Sequence, residues 1–139
     1  MNVNELVEIE QIKQLKARYF RLMDQKRWDE WGDVFTDDAT LQYGPNEDDV
    51  FEGKKATVEG LSEILKNSVT VHHGHMPEIE ITGETMATGI WSMFDYVEMP
   101  GLTLNGYGHY EEEYVKEDGR WKIKNFRLTR LRVDITPET

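Results

Sequence analysis

The chain contains no cysteine, which excludes disulfides, thiolate metal sites and cysteine nucleophiles. It also has no apolar run close to the roughly 20 residues that a membrane-spanning helix needs. The first residues, 1–5, show neither the basic nor the apolar region of a signal peptide. We therefore expect a cytoplasmic protein that has no membrane as its partner.

Basic residues are few, with 16 Lys and Arg against 27 Asp and Glu, which gives a net charge of −11. Binding to a nucleic-acid backbone requires a basic surface, so we expect no nucleic-acid partner. The length of 139 residues, with 38% hydrophobic residues, fits a single domain over 1–139 with a substantial core. We find no internal repeat and no linker.

The first part of the chain shows the helical period. From Glu5 to about Gln25 the apolar residues recur at spacings of three and four: Ile9, Ile12, Leu15, Tyr19, Phe20, Leu22 and Met23. Tyr19 lies within this stripe and Asp24 lies at its edge, so a phenol and a carboxylate are expected to lean towards the interior. Lys16 also falls within the stripe and interrupts it. Further helices are predicted over 26–35 and 54–67, with a short strand at 39–43 and a loop at 44–49 between them.

From Ser68 onwards the pattern is that of strands, predicted over 69–82, 85–98, 103–116 and 120–134. Turn signals separate them, which predicts an antiparallel meander. Helices followed by such strands define an α+β architecture, in which a strongly curved antiparallel sheet wraps around the helices and leaves a cavity. Gly106 and Gly108 indicate close backbone approach or strand curvature.

Three of the four histidines lie within four positions, at His72, His73 and His75. Histidine can act as a base, an acid or a metal ligand, so the cluster is a candidate site. Simple alternation places His72 on the same strand face as the glutamates at 78 and 80, which would make it point outwards. A bulge at Gly74 or Pro77 would reverse the facing and turn His72 inwards. From this segment alone, an inward His72 with a bulge and a partly exposed strand histidine are equally supported.

A metal site formed by His73 and His75, which share a strand face, is the less favoured interpretation. No acidic residue stands at an obvious ligand spacing, so we expect no metal. His109 lies in an aromatic strand, and we favour a packed residue over a second histidine in the pocket. The glutamate run 111–113 is expected to contain one solvated face.

Two charged residues continue the inward positions of predicted strands. Asp95 and Arg130 each follow two apolar residues at alternate positions, namely Trp91 and Met93 for the first, and Phe126 and Leu128 for the second. Burying either charge alone is costly, whereas pairing them with each other or with His72 makes burial feasible. The alternative is a structural ion pair at the rim of the sheet.

Together these features resemble those of the SnoaL-like branch of the nuclear transport factor 2-like superfamily. Proteins of this branch are small cone-shaped α+β barrels. More closely, the chain resembles the bacterial bile-acid 7α-dehydratases, from about Glu10 to Arg130. The matching stretches are 12–24, 28–30, 72–79 and 87–91. The resemblance implies a homo-oligomer, a dimer or trimer, without a cofactor. It also implies a catalytic set made up of Tyr19, Asp24, His72, Asp95 and Arg130.

The function implied by this resemblance is a lyase that removes water from a hydrophobic, steroid-like or polycyclic, hydroxy-ketone. His72 would be the general base, oriented by Asp24, and Tyr19 would donate a hydrogen bond or a proton. Asp95 and Arg130 would hold one another and fix the substrate. Two alternatives stay open: an isomerase or cyclase that uses the same pocket, and a non-catalytic small-molecule-binding or dimerisation module.

Overall fold

The computed structural model of the protein describes residues 1–138, which form three helices and six strands. The helices are α1 (Val3–Asp24), α2 (Trp28–Gly32) and α3 (Lys54–Leu65). The strands are β1 (Phe35–Gln42), β2 (Val50–Glu52), β3 (Val69–Ile81), β4 (Met86–Met99), β5 (Leu102–Glu117) and β6 (Arg120–Pro137). Within this described part of the chain, no helix is both long enough and apolar enough to cross a bilayer.

The helices pack against one curved sheet in the order β2-β1-β6-β5-β4-β3, which confirms the predicted α+β cone. Strands β3 to β6 form the expected antiparallel meander. The sheet is nevertheless mixed, because β1 runs parallel to β6, with Leu41 opposite Phe126. Sequence reasoning missed this pairing and also missed β2, which is too short to show alternation. The predicted second helix is shortened, because β1 already begins at Phe35.

Helix α1 begins where the side chain of Asn2 accepts a hydrogen bond from the Glu5 backbone N–H at 2.9 Å. Its apolar stripe lies against the inner face of the sheet and is buried at Ile12, Leu15, Tyr19, Leu22 and Met23. Across from it, β5 and β6 contribute buried aromatic and aliphatic residues, among them Tyr110, Tyr114, Ile123 and Phe126. The core therefore lies between α1 and the concave face of the sheet.

Strand bulges give the sheet its curvature. The register shifts in β3 between His75 and Glu78, and between β5 and β6 at Gly108. A Cβ atom at Gly108 would lie 1.9 Å from the Thr129 carbonyl oxygen, so only glycine fits there. The predicted close approach at Gly108 is thus a contact between the backbones of two neighbouring strands.

Lys16, which interrupts the apolar stripe of α1, is fully buried and forms an ion pair in the core. Its Nζ lies 2.6 Å from Glu112 Oε2, and both side chains are 0% exposed. The Tyr114 hydroxyl donates to Glu112 Oε1 at 2.6 Å and accepts from Trp91 Nε1 at 2.9 Å. Burial lowers the pKa of Lys16 to about 8, and the nearby Glu112 acts in the opposite direction.

We expect the free energy of unfolding to rise by about 1–2 kcal/mol from pH 8 to pH 9.5 because of Lys16. In this range folded Lys16 has largely lost its proton, whereas a lysine in the unfolded chain keeps its proton until about pH 10.4. The unfolded state then binds more protons, so raising the pH favours the folded state.

Urea unfolding across this pH range measures the effect. The matched control is the double variant Lys16→Met/Glu112→Gln, which removes both charges and keeps an acceptor for Tyr114. Its stability should lack the rise, and an equal rise in both proteins would show that another group is responsible.

Candidate active site

His72 lies on the inner face of β3 and is 9% exposed. A bulge at Met76, where φ is +43°, shifts the register between His75 and Glu78. The inward positions are Thr70, His72 and Gly74 before the bulge, and Pro77, Ile79 and Ile81 after it. The strand thus changes facing as the inward orientation of His72 requires.

The bulge involves only one of the two residues that were expected to cause it. Pro77 directly follows Met76, but Gly74 lies in regular register opposite Met93. Gly74 instead makes room for an aromatic ring of α1, since a Cβ atom there would lie 2.7 Å from ring atoms of Phe20. Its role is close packing between helix and strand.

Asp24, the last residue of α1, holds the His72 side chain in place. Its Oδ1 lies 2.7 Å from His72 Nδ1, and its Oδ2 accepts the His72 backbone N–H at 2.9 Å. The Thr70 hydroxyl donates to Oδ1 at 2.9 Å. A carboxylate at Nδ1 selects the tautomer with a proton on that nitrogen, which leaves the Nε2 lone pair free to accept a proton. This is the arrangement of an oriented general base.

Asp95 and Arg130 form a two-point ion pair beside this histidine. Arg130 donates from Nη1 and Nη2 to the two carboxylate oxygens of Asp95, both at 2.8 Å. The Asp95 side chain is 4% exposed and that of Arg130 is 27% exposed. The hydrogen bonds to Asp95 raise the pKa of Arg130, so the guanidinium stays charged. Because Asp95 stands opposite His72 in the ladder, its Oδ2 lies 4.0 Å from His72 Nε2.

The ion pair crosses strand β5 at Gly106. Asp95 belongs to β4 and Arg130 to β6, so their side chains meet over the strand between them. A Cβ atom at Gly106 would lie 1.8 Å from Arg130 Nη1 and 2.1 Å from Asp95 Oδ1. The close approach expected at Gly106 is therefore one of side chains over a bare backbone, and this position is part of the site.

Tyr19 lies inside the aromatic core and is 2% exposed. Its ring packs against aromatic neighbours at centroid distances of 5.3 to 6.1 Å: Phe20, Trp31, Phe35, Tyr110 and Phe126. Burial raises the pKa of Tyr19 well above its usual value, and the negative charges of Glu112 and Asp95 raise this pKa further. The phenol is therefore a protonated hydrogen-bond donor at neutral pH.

An open groove gives access to the histidine. It lies between α1 and β3, has a volume of about 490 Å³, and is lined by Ala17, Phe20, Arg21, Asp24, His72, His73, Gly74 and His75. A cleft of similar volume lies between α1, α2 and the β5–β6 hairpin, with Arg18, Arg120 and Lys122 on its walls. That second cleft contains none of the five predicted site residues, whereas Asp24 and His72 line the groove, so we place the candidate site at the groove. Tyr19, Asp95 and Arg130 are not among the residues that line it.

The SnoaL-like domain family matches residues 4–127 of the chain. The chain belongs to this family. This confirms the superfamily expected from the sequence, and the family covers nearly all of the elements described above.

Several solved structures similar to this SnoaL-like domain carry the names of enzymes that catalyse eliminations. A protein of Novosphingobium aromaticivorans DSM 12444, named as a candidate scytalone dehydratase, superposes with a TM-score of 0.88 at 26% identity, over 96% of this chain and 91% of that chain. A type 2 hexachlorocyclohexane dehydrochlorinase, LinA, gives 0.85 at 17% identity, over 100% and 94%. The LinA type 3 enzyme of Novosphingobium barchaimii LL02 gives 0.82 at 16% identity, over 100% and 95%. The two LinA comparisons show a shared fold.

The other histidines of the SnoaL-like domain lie outside the interior row. His73 and His75 are exposed on the outer side of β3, with ring centroids 5.8 Å apart, and His109 is half-buried on β5. Within residues 1–138, no three His, Cys, Asp or Glu side chains come together as a metal-binding group. The structure therefore separates His72 from the rest of the cluster.

We expect Gly106→Ala to break the Asp95–Arg130 pair, because the new methyl group would overlap Arg130 Nη1. A buried carboxylate would lose its partner, which costs about 2–4 kcal/mol of stability when the partner is partly exposed. Urea unfolding measures the loss.

Gly83→Ala is the matched control, because a Cβ atom at Gly83 meets nothing closer than 4.0 Å. Equal stability of the two variants would show that the ion pair does not depend on the bare backbone at Gly106.

Proposed function

We propose that this SnoaL-like domain is a cofactor-independent lyase that removes water from a hydrophobic hydroxy-ketone by general acid–base catalysis. The observation that carries the proposal is the buried His72 side chain, whose Nδ1 is held by Asp24 at 2.7 Å while its Nε2 lies 4.0 Å from Asp95 Oδ2, beyond hydrogen-bond distance. A buried, oriented imidazole beside an accessible groove is suited to proton transfer.

In the proposed reaction, His72 Nε2 takes a proton from a carbon that the substrate carbonyl makes acidic, either directly beside the carbonyl or, in a 3-oxo-4-ene steroid, at C6, which is conjugated to the carbonyl through the double bond. The electron pair of that C–H bond forms the new double bond, and the hydroxyl group on the neighbouring carbon leaves as water after receiving a proton. Asp24 stabilises the imidazolium that forms, because its carboxylate contacts Nδ1 directly. No electrons are exchanged with a cofactor, so proton transfer and charge stabilisation are sufficient.

The remaining residues would act on the oxygens of the substrate. The partly exposed guanidinium of Arg130 can bind a substrate oxygen while Asp95 keeps it in position. Tyr19 would donate a hydrogen bond to developing negative charge or a proton to the departing hydroxyl, since its raised pKa keeps the phenol protonated.

The comparisons support elimination over other proton-transfer reactions. A dehydratase removes water and a dehydrochlorinase removes hydrogen chloride, and both reactions require loss of a proton and a leaving group. A steroid-like or polycyclic substrate is our proposal from the resemblance to bile-acid 7α-dehydratases. The groove of about 490 Å³ falls in the size range of small-molecule sites.

We expect the purified protein to convert at least one member of a panel of 3-oxo-4-ene 7-hydroxy steroids and related hydroxy-ketones, with loss of the mass of water. His72→Ala should lower kcat by about 10²–10⁴-fold, because the general base is lost. Mass spectrometry of timed reactions measures both.

His109→Ala is the matched control, since His109 lies on β5 outside the interior row and does not line the groove, and it should retain wild-type kcat. Wild-type turnover by His72→Ala would remove the base assignment. A product of unchanged mass would point to an isomerase or cyclase, and the absence of any product would remove dehydration of this substrate class.

We also propose that the protein is cytoplasmic, as its sequence features suggest, and that it forms a homo-oligomer, a dimer or trimer, as the family resemblance implies. Large apolar side chains on the outer face of the sheet are consistent with an interface, including Val71, Ile90 and Tyr107 at 37 to 42% exposure.

We expect light scattering to give two or three times the monomer mass. Ile90→Asp should shift the particle towards the monomer, and a monomeric wild-type protein would contradict the proposal.

A further inference from the structure

The Lys16 ammonium lies between the faces of two tyrosine rings. Its Nζ is 3.8 Å from the centroid of Tyr19 and 3.7 Å from that of Tyr110. The rings of Phe20 and Phe126 are within 5 Å of it as well. Together with Glu112 at 2.6 Å, these rings enclose the charge completely.

Stability alone gives little reason for this arrangement. Removing two charges from water is costly, and apolar side chains of similar volume commonly replace a buried ion pair with equal or greater stability. Buried ionisable groups with a perturbed pKa also occur frequently at functional sites. We therefore expect the charge of Lys16 to act on a neighbouring group.

The neighbours of Lys16 lead directly to the candidate active site. Tyr19 follows one turn later on α1, and Tyr110 lies two residues from Gly108, which stands opposite Arg130. The negative charge of Asp95 contributes to the raised pKa of both phenols. Both hydroxyl groups are thus within electrostatic reach of the Asp95–Arg130 pair.

We propose that Lys16, anchored by Glu112, is a positioning residue for Tyr19, holding its ring in place and stabilising negative charge as it develops on the phenol oxygen. This inference rests on the proposed elimination, in which Tyr19 donates a hydrogen bond or a proton. An ammonium a few ångströms from a partial charge in a dry interior contributes roughly 10- to 100-fold to a rate.

Three titratable groups face the Lys16 ammonium: Tyr19 from α1, and Tyr110 and Glu112 from β5. The face contributed by β6 is Phe126, which has no charge. Lys16, with its pKa lowered to about 8, is the first of the buried amine and phenols to lose its proton as the pH rises. Its contribution to the rate should therefore disappear above about pH 8, while the stability of the fold increases.

The first experiment measures kcat and KM against pH with whichever hydroxy-ketone of the panel is turned over. Wild-type kcat should fall as the pH rises through about 8. Lys16→Arg, whose guanidinium stays charged, should retain kcat over this range, and Lys16→Met/Glu112→Gln should have kcat lowered roughly 10- to 100-fold with KM little changed. Lys13→Met, an exposed lysine one turn earlier on α1, is the matched control and should behave as wild type.

Wild-type kcat and an unchanged pH profile in the double variant would overturn the proposal. If Lys16→Arg fails to fold, as judged by circular dichroism, the double variant decides alone. It removes both charges together and so leaves no unpaired charge in the core.

The second experiment needs no substrate. In protein labelled with ¹³Cζ-tyrosine, the NMR signal of Tyr19, assigned by its loss in Tyr19→Phe, should shift with a midpoint near pH 8. The shift should be absent from Lys16→Met/Glu112→Gln. A Tyr19 signal that stays constant from pH 7 to 9 would overturn the coupling between Lys16 and Tyr19. A shifting signal without turnover of any panel member would uphold the coupling and contradict only the proposed reaction.

Discussion

The site depends on the contact between the end of α1 and strand β3, which Asp24 makes with three hydrogen bonds. Strand β3 is at the edge of the sheet, so only β4 pairs with its backbone. On its inner side, Asp24 accepts from the Thr70 hydroxyl, the His72 ring and the His72 backbone. Hydrogen bonds to a charged group contribute about 1.5–3 kcal/mol each. One carboxylate therefore fixes the edge strand on the helix and sets the orientation of the candidate base.

The inner face of the sheet is built in layers across the strands. His72, Asp95 and Gly106 form one layer, and Gly74, Met93 and Gly108 form the next. The first layer carries charge, and its Gly106 leaves room for the Arg130 side chain. The second layer contains two glycines, of which Gly74 leaves room for Phe20. Further along come Trp91, Tyr110 and Leu128, where the packed core begins. The charged layer and the packed core thus occupy different levels of one concave surface.

Periodicity predicted the long elements well, because α1 and the four meander strands each bury a face with a regular repeat. The inward orientation of Asp95 and Arg130 also follows from alternation along single strands. The facing of His72 required a bulge that Pro77 suggested but no local rule could position. The parallel pairing of β1 with β6 depends on contacts across some eighty residues, for which a single sequence carries no periodic signal.

The sequence carries a signal for Glu112 as the buried partner of Lys16. Lys16 was visible as a break in the apolar stripe, and Glu112 alternates with Tyr110 and Tyr114 on the inward positions of its strand. What the sequence lacked was the distance between the two elements, which depends on how deeply α1 lies against the sheet. The crossing of the ion pair over Gly106 was missed for the same reason.

The bulge at Met76 decides which residues of β3 face the interior of the domain. The segment 69–75 points its even-numbered residues inwards, and the segment after the bulge points its odd-numbered residues inwards. Loss of a single residue at the bulge would keep every member of the candidate site in the chain, yet it would oblige one half of the strand to turn over. The domain could then keep its apolar half buried and present His72 to solvent, with Asp24 left facing His73. The orientation of the candidate base is thus decided by the number of residues in one strand as much as by which residues the strand contains.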